Sequence, residues 1–162
     1  MAYMHLKYQL EEHGTGFPSN VLAQEYGQHL LNIKLSKDRD NGEIIAADPE
    51  KWISWDLFEE GEVGTFKGIV VDRDQDGNYL VLVTETDGTA CLLYQKPLTP
   101  YESPREFLKE KAFYNAEGDI VRSYVLAKWD RFSDSASNFS EEPEIGAKVT
   151  GVADGKMTIT QP

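Results

Sequence analysis

An Asn or Asp followed by Gly recurs between short apolar runs, at Asn41-Gly42, Asp76-Gly77, Asp87-Gly88 and Asp154-Gly155. Both residues of such a pair tolerate positive φ, so the pair closes tight hairpins whose twist matches the flanking strands. The runs themselves alternate. Leu31, Ile33 and Leu35 are separated by polar residues, the period of a half-buried strand. "TFKGIVVD" and "NYLVLVTET" flank one turn and "TACLLYQK" follows the next, which predicts an antiparallel meander. "DRDNGEIIAAD" reads as a hairpin returning through Ile44 and Ile45. "DIVRSYVLAKWDRFS" adds strands, and "AKVTGVADGKMTITQ" closes the chain as a hairpin.

One segment breaks the pattern. "KPLTPYESPREFLKEKAFYN" carries Pro97, Pro100 and Pro104. Ser103 is suited to cap a helix and Pro104 to its first position, with Glu106 in the first turn. The expected fold is therefore all-β, built of small barrel or sandwich lobes and antiparallel hairpins, with one short helix near 104–112. The expected organisation is an arm or extended segment over 1–28, a β lobe over 29–95, a Pro-rich connector over 96–112 and a second β lobe over 113–162. One continuous domain is the alternative. The chain also echoes itself: "NGEII", "WDLF" and "GEVG" recur in order as "EGDIV", "WDRF" and "EIG". Duplication of a small β unit and convergent turn chemistry both account for this.

Charge limits the partners. The 162 residues carry a formal charge of −12, which opposes phosphate backbones and anionic membranes. Neither nucleic acid nor a membrane is an expected partner. No stretch approaches the roughly 18 apolar residues of a spanning helix. "MAYMHLKYQLEEHG" lacks a continuous apolar core and a cleavage site, so no signal peptide is expected. The single cysteine, Cys91, sits in "ACLLY" and reads as a small core hydrophobe.

"DRDQDG" places Asp72, Asp74, Asp76 and Gly77 at the spacing of the first half of a helix-flanked calcium loop. Its twelfth position is Val83, with Glu85 two residues late, and its flanks are β-type. The expected role is a hairpin turn stabilised by Asx-type hydrogen bonds, with Asp72, Asp74 and Asp76 as the weaker calcium candidates. Asp38, Asp40 and Asn41 repeat the theme. Glu59, Glu60 and Glu62, and Glu141, Glu142 and Glu144, lie in Gly- and Ser-flanked loops and read as solvated. His5, His13 and His29 have no zinc spacing. Trp52, Trp55 and Trp129 are expected to fill the core, with a sugar-stacking platform as the alternative. No catalytic constellation, metal or cofactor is expected.

The order of segments resembles a family. "YGQHLLNIKLSKDRDNGEII", then "NAEGDIVRSYVLAKWDRFSDSASNF" and "EIGAKVT", are similar to capsid decoration, or head-stabilising, proteins of tailed bacteriophages encoded beside the major capsid protein. Gly118, Arg122, Tyr124, Leu126, Asp130, Phe132, Ser133, Phe139 and Gly146 occupy the matching places. Trp129 stands where many relatives have glycine. The resemblance covers roughly residues 26–160. It implies a structural virion protein without enzymatic activity, made in the bacterial host cytoplasm and bound to the major capsid protein, with self-association on the shell as a further possibility. Rival readings are a head–tail connector, a tail protein, or a β module binding carbohydrate or calcium.

Overall fold

In β4 (Ile44–Ser54), Ile44 and Ile45 are both buried, yet they enter different cores. Successive side chains of a strand point to opposite faces, so a strand buried on both faces is a wall between two compartments. β8 (Cys91–Leu93) behaves the same way: Leu92 joins one core, and Cys91 and Leu93 join the other. The two strands pair directly, Ile44 opposite Leu92 and Ile45 opposite Cys91. The computed structural model describes residues 13–23, 29–95, 105 and 110–162.

On one side of this wall is a closed barrel. Its strands run in the order β10-β2-β5-β4-β8, with β2 (Leu30–Lys34), β5 (Leu57–Gly61) and β10 (Ile120–Val125) completing the ring. All neighbours are antiparallel except β2 and β5, which run parallel. Ile33, Leu35, Ile45, Cys91, Leu93 and Val121 fill it. On the other side is a six-stranded sheet in the order β1-β11-β7-β6-β12-β13. It is built from β1 (Gly16–Asn20), β6 (Phe66–Arg73), β7 (Tyr79–Thr86), β11 (Arg131–Asp134), β12 (Lys148–Ala153) and β13 (Lys156–Thr160). Phe66, Val70, Val81, Val83, Phe132 and Met157 pack from it against Ile44 and Leu92. Full burial of each such side chain contributes about 1.5–3 kcal/mol.

The all-β expectation is met. The expected split into lobes over 29–95 and 113–162 is not what forms. β10 closes the barrel with strands from the first half, while β6 and β7 lie between β11 and β12 in the sheet. A strand from each half is needed to close either core. Part of the 1–28 segment is a sheet strand: β1 pairs with β11, Phe17 opposite Ser133. Most of the 104–112 segment expected to form a short helix lies outside the described residues, and its described end is a 3-10 turn at Glu110–Phe113.

The turns form, but two connect different partners from those expected. At Asn41-Gly42 the chain reverses, yet β3 (Arg39–Asp40) pairs with β9 (Tyr114–Asn115) rather than with β4. Gly42 has φ +88°, and Gly16 passes so close that a Cβ there would lie 2.5 Å from the Gly42 Cα. At Asp87-Gly88 the chain leaves β7 and crosses into the barrel, so the meander stops at two strands. Asp87 holds the crossing by accepting from the Thr65 and Thr89 amides, each at 3.0 Å. The β6–β7 hairpin and the terminal β12–β13 hairpin form as expected. The sheet edges are blunted: Pro18 removes a donor from β1, and Ser140 donates its amide to Met157 beside β13.

Candidate interaction surfaces

The positions carrying the family resemblance mostly hold the scaffold. Asp130 is buried and joins three segments, accepting from the amides of Leu22 at 3.0 Å and Ala127 at 2.8 Å, while its carbonyl accepts from Val83. Leu126, Phe132 and Phe139 are core, and Gly118 and Gly146 take φ +86° and +92°. Trp129 has φ 77°, a conformation that favours glycine. Arg122 and Tyr124 differ from the rest because they face outward from β10.

The tryptophans do not fill the core. Trp52, Trp55 and Trp129 are 62%, 92% and 63% exposed. Their strand-like context suggested burial, but Trp52 and Trp55 lie at the far end of the β4–β5 hairpin, beyond the barrel interior. β4 bulges there, since Ala47 opposes Glu60 while Trp52 opposes Phe58. Asp48 stabilises the bulge by accepting from the Glu50 amide at 3.0 Å. The tip is fastened from the strand beside β5: Asn32 of β2 donates its side-chain amide to Asp56 at 2.7 Å and its backbone amide to the Asp56 carbonyl at 2.8 Å. Ile53 adds to the exposed apolar surface.

Beside this tip lies an open depression of about 360 Å³ lined by Asn32, Tyr94, Gln95, Ile120, Arg122 and Tyr124. Arg122 opposes Asn32 across β10 and β2. The rings of Tyr94 and Tyr124 lie 6.3 Å apart. Gln95 is set against β10, its side-chain Oε1 accepting from the Arg122 backbone amide at 3.3 Å.

The outer face of the six-stranded sheet is a second surface. In β7, Tyr79, Val81 and Val83 are buried, while Leu80, Leu82 and Thr84 are half-buried on the other side. Register places Lys148, Ile69, Leu82 and Arg131 in one row across β12, β6, β7 and β11. The row is apolar in the middle and basic at both ends, in a chain of charge −12.

The calcium candidates serve the turn. The Asp74 carboxylate accepts from the Asp76 and Asn78 amides, each at 2.9 Å, and Asp72 accepts from the Arg73 amide. Among the described residues no group of His, Cys, Asp or Glu is arranged to hold a metal.

Of the two acidic groups read as solvated, one departs from that reading at a single residue. Glu59 and Glu62 are exposed, but the Glu60 side chain is 4% exposed and accepts from Arg39 and Ser36. Its strand position turns it under the barrel rim instead of into solvent. The second group is solvated, with Glu142 accepting from the Tyr79 hydroxyl. A buried acid cluster, of Glu43 and Asp134, has no local sequence signal. Asp134 is fully buried, accepts from the Asn138 side-chain amide and keeps Oδ2 without a partner among the described residues. Burial, with the charge of Glu43, holds its carboxyl well above the ordinary range. Glu43 itself is raised to about 7, chiefly by burial, against the lowering effects of the Asp40 amide and Arg39. His13 pairs with Asp40 at 2.8 Å and stacks on Tyr114. His29 lies exposed, and His5 lies outside the described residues. Burial pushes the Cys91 thiol up to about 12, in keeping with a core role. Among the described residues no helix is long and apolar enough to cross a membrane.

Comparison with family models, with curated proteins and with solved structures finds no match.

Proposed function

We propose that this chain is a structural virion protein of a tailed phage, bound to the outer capsid shell as a decoration protein. The observation that carries the reading is the row Lys148–Ile69–Leu82–Arg131 on the outer face of the sheet. A half-exposed apolar strip fringed by cations, on an otherwise acidic protein, suits an acidic and partly apolar partner surface. The family resemblance supplies the identity of that partner, the major capsid protein. Two cores sharing one wall supply a rigid scaffold, and repeated copies on a shell amplify modest affinity per site where neighbours touch.

Quantitative mass spectrometry of purified particles, with heads and tails separated, tests this. A copy number on the scale of the capsid protein, confined to heads, supports decoration. A handful of copies indicates a connector or tail component. Absence from particles overturns the virion reading.

A further inference from the structure

We propose that the outward face of β2 and β10, together with the β4–β5 hairpin tip, is an oligosaccharide-binding site. This goes beyond the shell-binding role and does not depend on it. The depression on this face adjoins the sheet at one end, where Tyr124 packs against the sheet-side core and the Tyr94 ring lies 6.0 Å from that of Phe17 in β1.

The lining carries the chemistry. The depression of about 360 Å³ presents two tyrosine rings, two planar amides and a guanidinium. Aromatic rings offer an apolar body with a polar edge, which matches the C–H faces and hydroxyls of a pyranose. Arg122 supplies planar donors and Asn32 its side-chain oxygen for vicinal hydroxyls, while Gln95 is held along β10, its side chain accepting from the Arg122 amide and donating to the Ile120 carbonyl. Among the described residues Arg122 has no carboxylate within ion-pair distance, and it is exposed. Asn32 joins the depression to the hairpin through Asp56, so Trp55 is one residue from a group bonded to the lining. With 92% of its surface exposed, Trp55 can extend the platform to a second sugar unit.

The topology places this lining where a known architecture binds ligands. Starting from β8, the barrel strands pair as first, second, third, fifth and fourth if β8, β10, β2, β4 and β5 are numbered in that order. The parallel pair then falls between third and fifth. That is the pairing of the five-stranded Greek-key barrel, here with circularly permuted connections. Such barrels bind oligonucleotides and oligosaccharides on the second and third strands and on the loops after the first and fourth. Here those are β10, β2, the Tyr94–Gln95 exit from β8 and the Trp-bearing hairpin. Topology alone does not assign a ligand. Charge decides between the two: the net −12 of the chain opposes a phosphate backbone, which the one cation of the lining does not offset, and leaves a neutral sugar unaffected.

The test uses the isolated full chain on an array of bacterial surface and cell-wall oligosaccharides, then titration calorimetry with the strongest responder and with oligothymidylate. Binding to a sugar is expected, weakened about tenfold or more by Arg122→Ala and by Trp55→Ala, as for central contact residues. Trp129→Ala is expected to leave it unchanged. Both binding variants alter exposed side chains, and thermal melts verify that they are folded. No response on the array, equal affinity in both variants, or binding to oligothymidylate instead of sugar overturns the assignment. Particle location plays no part in these outcomes, so failure here leaves the virion reading standing.

Discussion

Arg39 grips Glu60 with two donors, Nε at 3.0 Å and Nη2 at 2.6 Å, and both side chains are less than a tenth exposed. The pair joins the short β3 strand to the barrel strand β5, and Ser36 completes it through its amide and hydroxyl. Removing Glu60 leaves Arg39 charged and buried with only its longer contact to Asp154, at 3.4 Å. Glu60→Ala is therefore expected to cost about 3–5 kcal/mol. Glu60→Gln keeps an acceptor and should cost less. Urea unfolding checks both, and equal stability of Glu60→Ala and the parent would contradict the buried geometry.

Glu43 makes stability depend on pH. Its folded pKa stands near 7 against an ordinary 4.5, so the folded state holds a proton that the unfolded chain releases. The contribution is complete below about 4.5 and is lost as pH rises through 7. At 1.36 kcal/mol per unit the loss is about 3 kcal/mol. Asp134 is raised in the same sense. Asp87 and Asp154 are lowered, by hydrogen bonds from Thr89 and from Lys37 respectively, and their contributions fade only as pH falls below the ordinary 3.8. Maximum stability is expected at mildly acidic pH. Glu43→Gln should flatten the decline between pH 4.5 and 7, measured by thermal melts across that window. An unchanged slope would remove Glu43 from the account.

The strands were legible because each obeys a local rule. Ile33 and Leu35 are buried as their alternation requires, and the Asp154-Gly155 hairpin closes with φ 52° and 81°. Partner choice was not legible. The Asn41-Gly42 turn reads the same whether its arms pair or diverge, and only the distant β9 and β8 decide that. The surface tryptophans were missed for a related reason. Trp52 alternates like a core residue, but the β4 bulge carries it past the end of the barrel. The acid cluster was hidden because Glu43 and Asp134 are far apart in sequence and meet only when both sheets are assembled.

Trp129 holds a backbone conformation that a bulky side chain adopts at a cost of roughly 1–2 kcal/mol. Its ring is largely exposed and gains a contact with the Lys128 ammonium, 5.0 Å from the ring centroid. Such exposed contacts are worth about 0.5–1 kcal/mol. Trp129→Gly is expected to raise the melting temperature slightly, while Trp129→Ala keeps the strain and does not. A melting temperature for Trp129→Gly below that of Trp129→Ala would contradict the strained reading.

Asp74 stabilises the β6–β7 turn through two backbone amides. At about 0.5–1.5 kcal/mol per hydrogen bond, Asp74→Ala should cost on the order of 1–3 kcal/mol, and Asp74→Asn much less. With Oδ1 of Asp74 taken by both amides and no group of His, Cys, Asp or Glu arranged to hold a metal among the described residues, calcium and a chelator are expected to give the same melting temperature. A calcium-dependent rise that Asp74→Ala abolishes would restore the ion-binding reading.

The sheet face allows fold and docking to be separated. Lys148 and Arg131 are exposed, and among the described residues neither forms an ion pair. Surface changes of this kind usually alter stability by no more than about 0.5 kcal/mol. The double variant Lys148→Glu/Arg131→Glu is expected to fold as the parent does. The substitutions reverse charge at both ends of the apolar strip, so an acidic partner surface is repelled where it was attracted, and association slows most at low salt. Phage lacking the parent protein, incubated with this variant, should retain far less of it on their heads than with the parent, and raised ionic strength should narrow the difference. Equal occupancy at low salt would move the docking surface elsewhere on the protein, with the hairpin tip around Trp52 and Ile53 next to be tested.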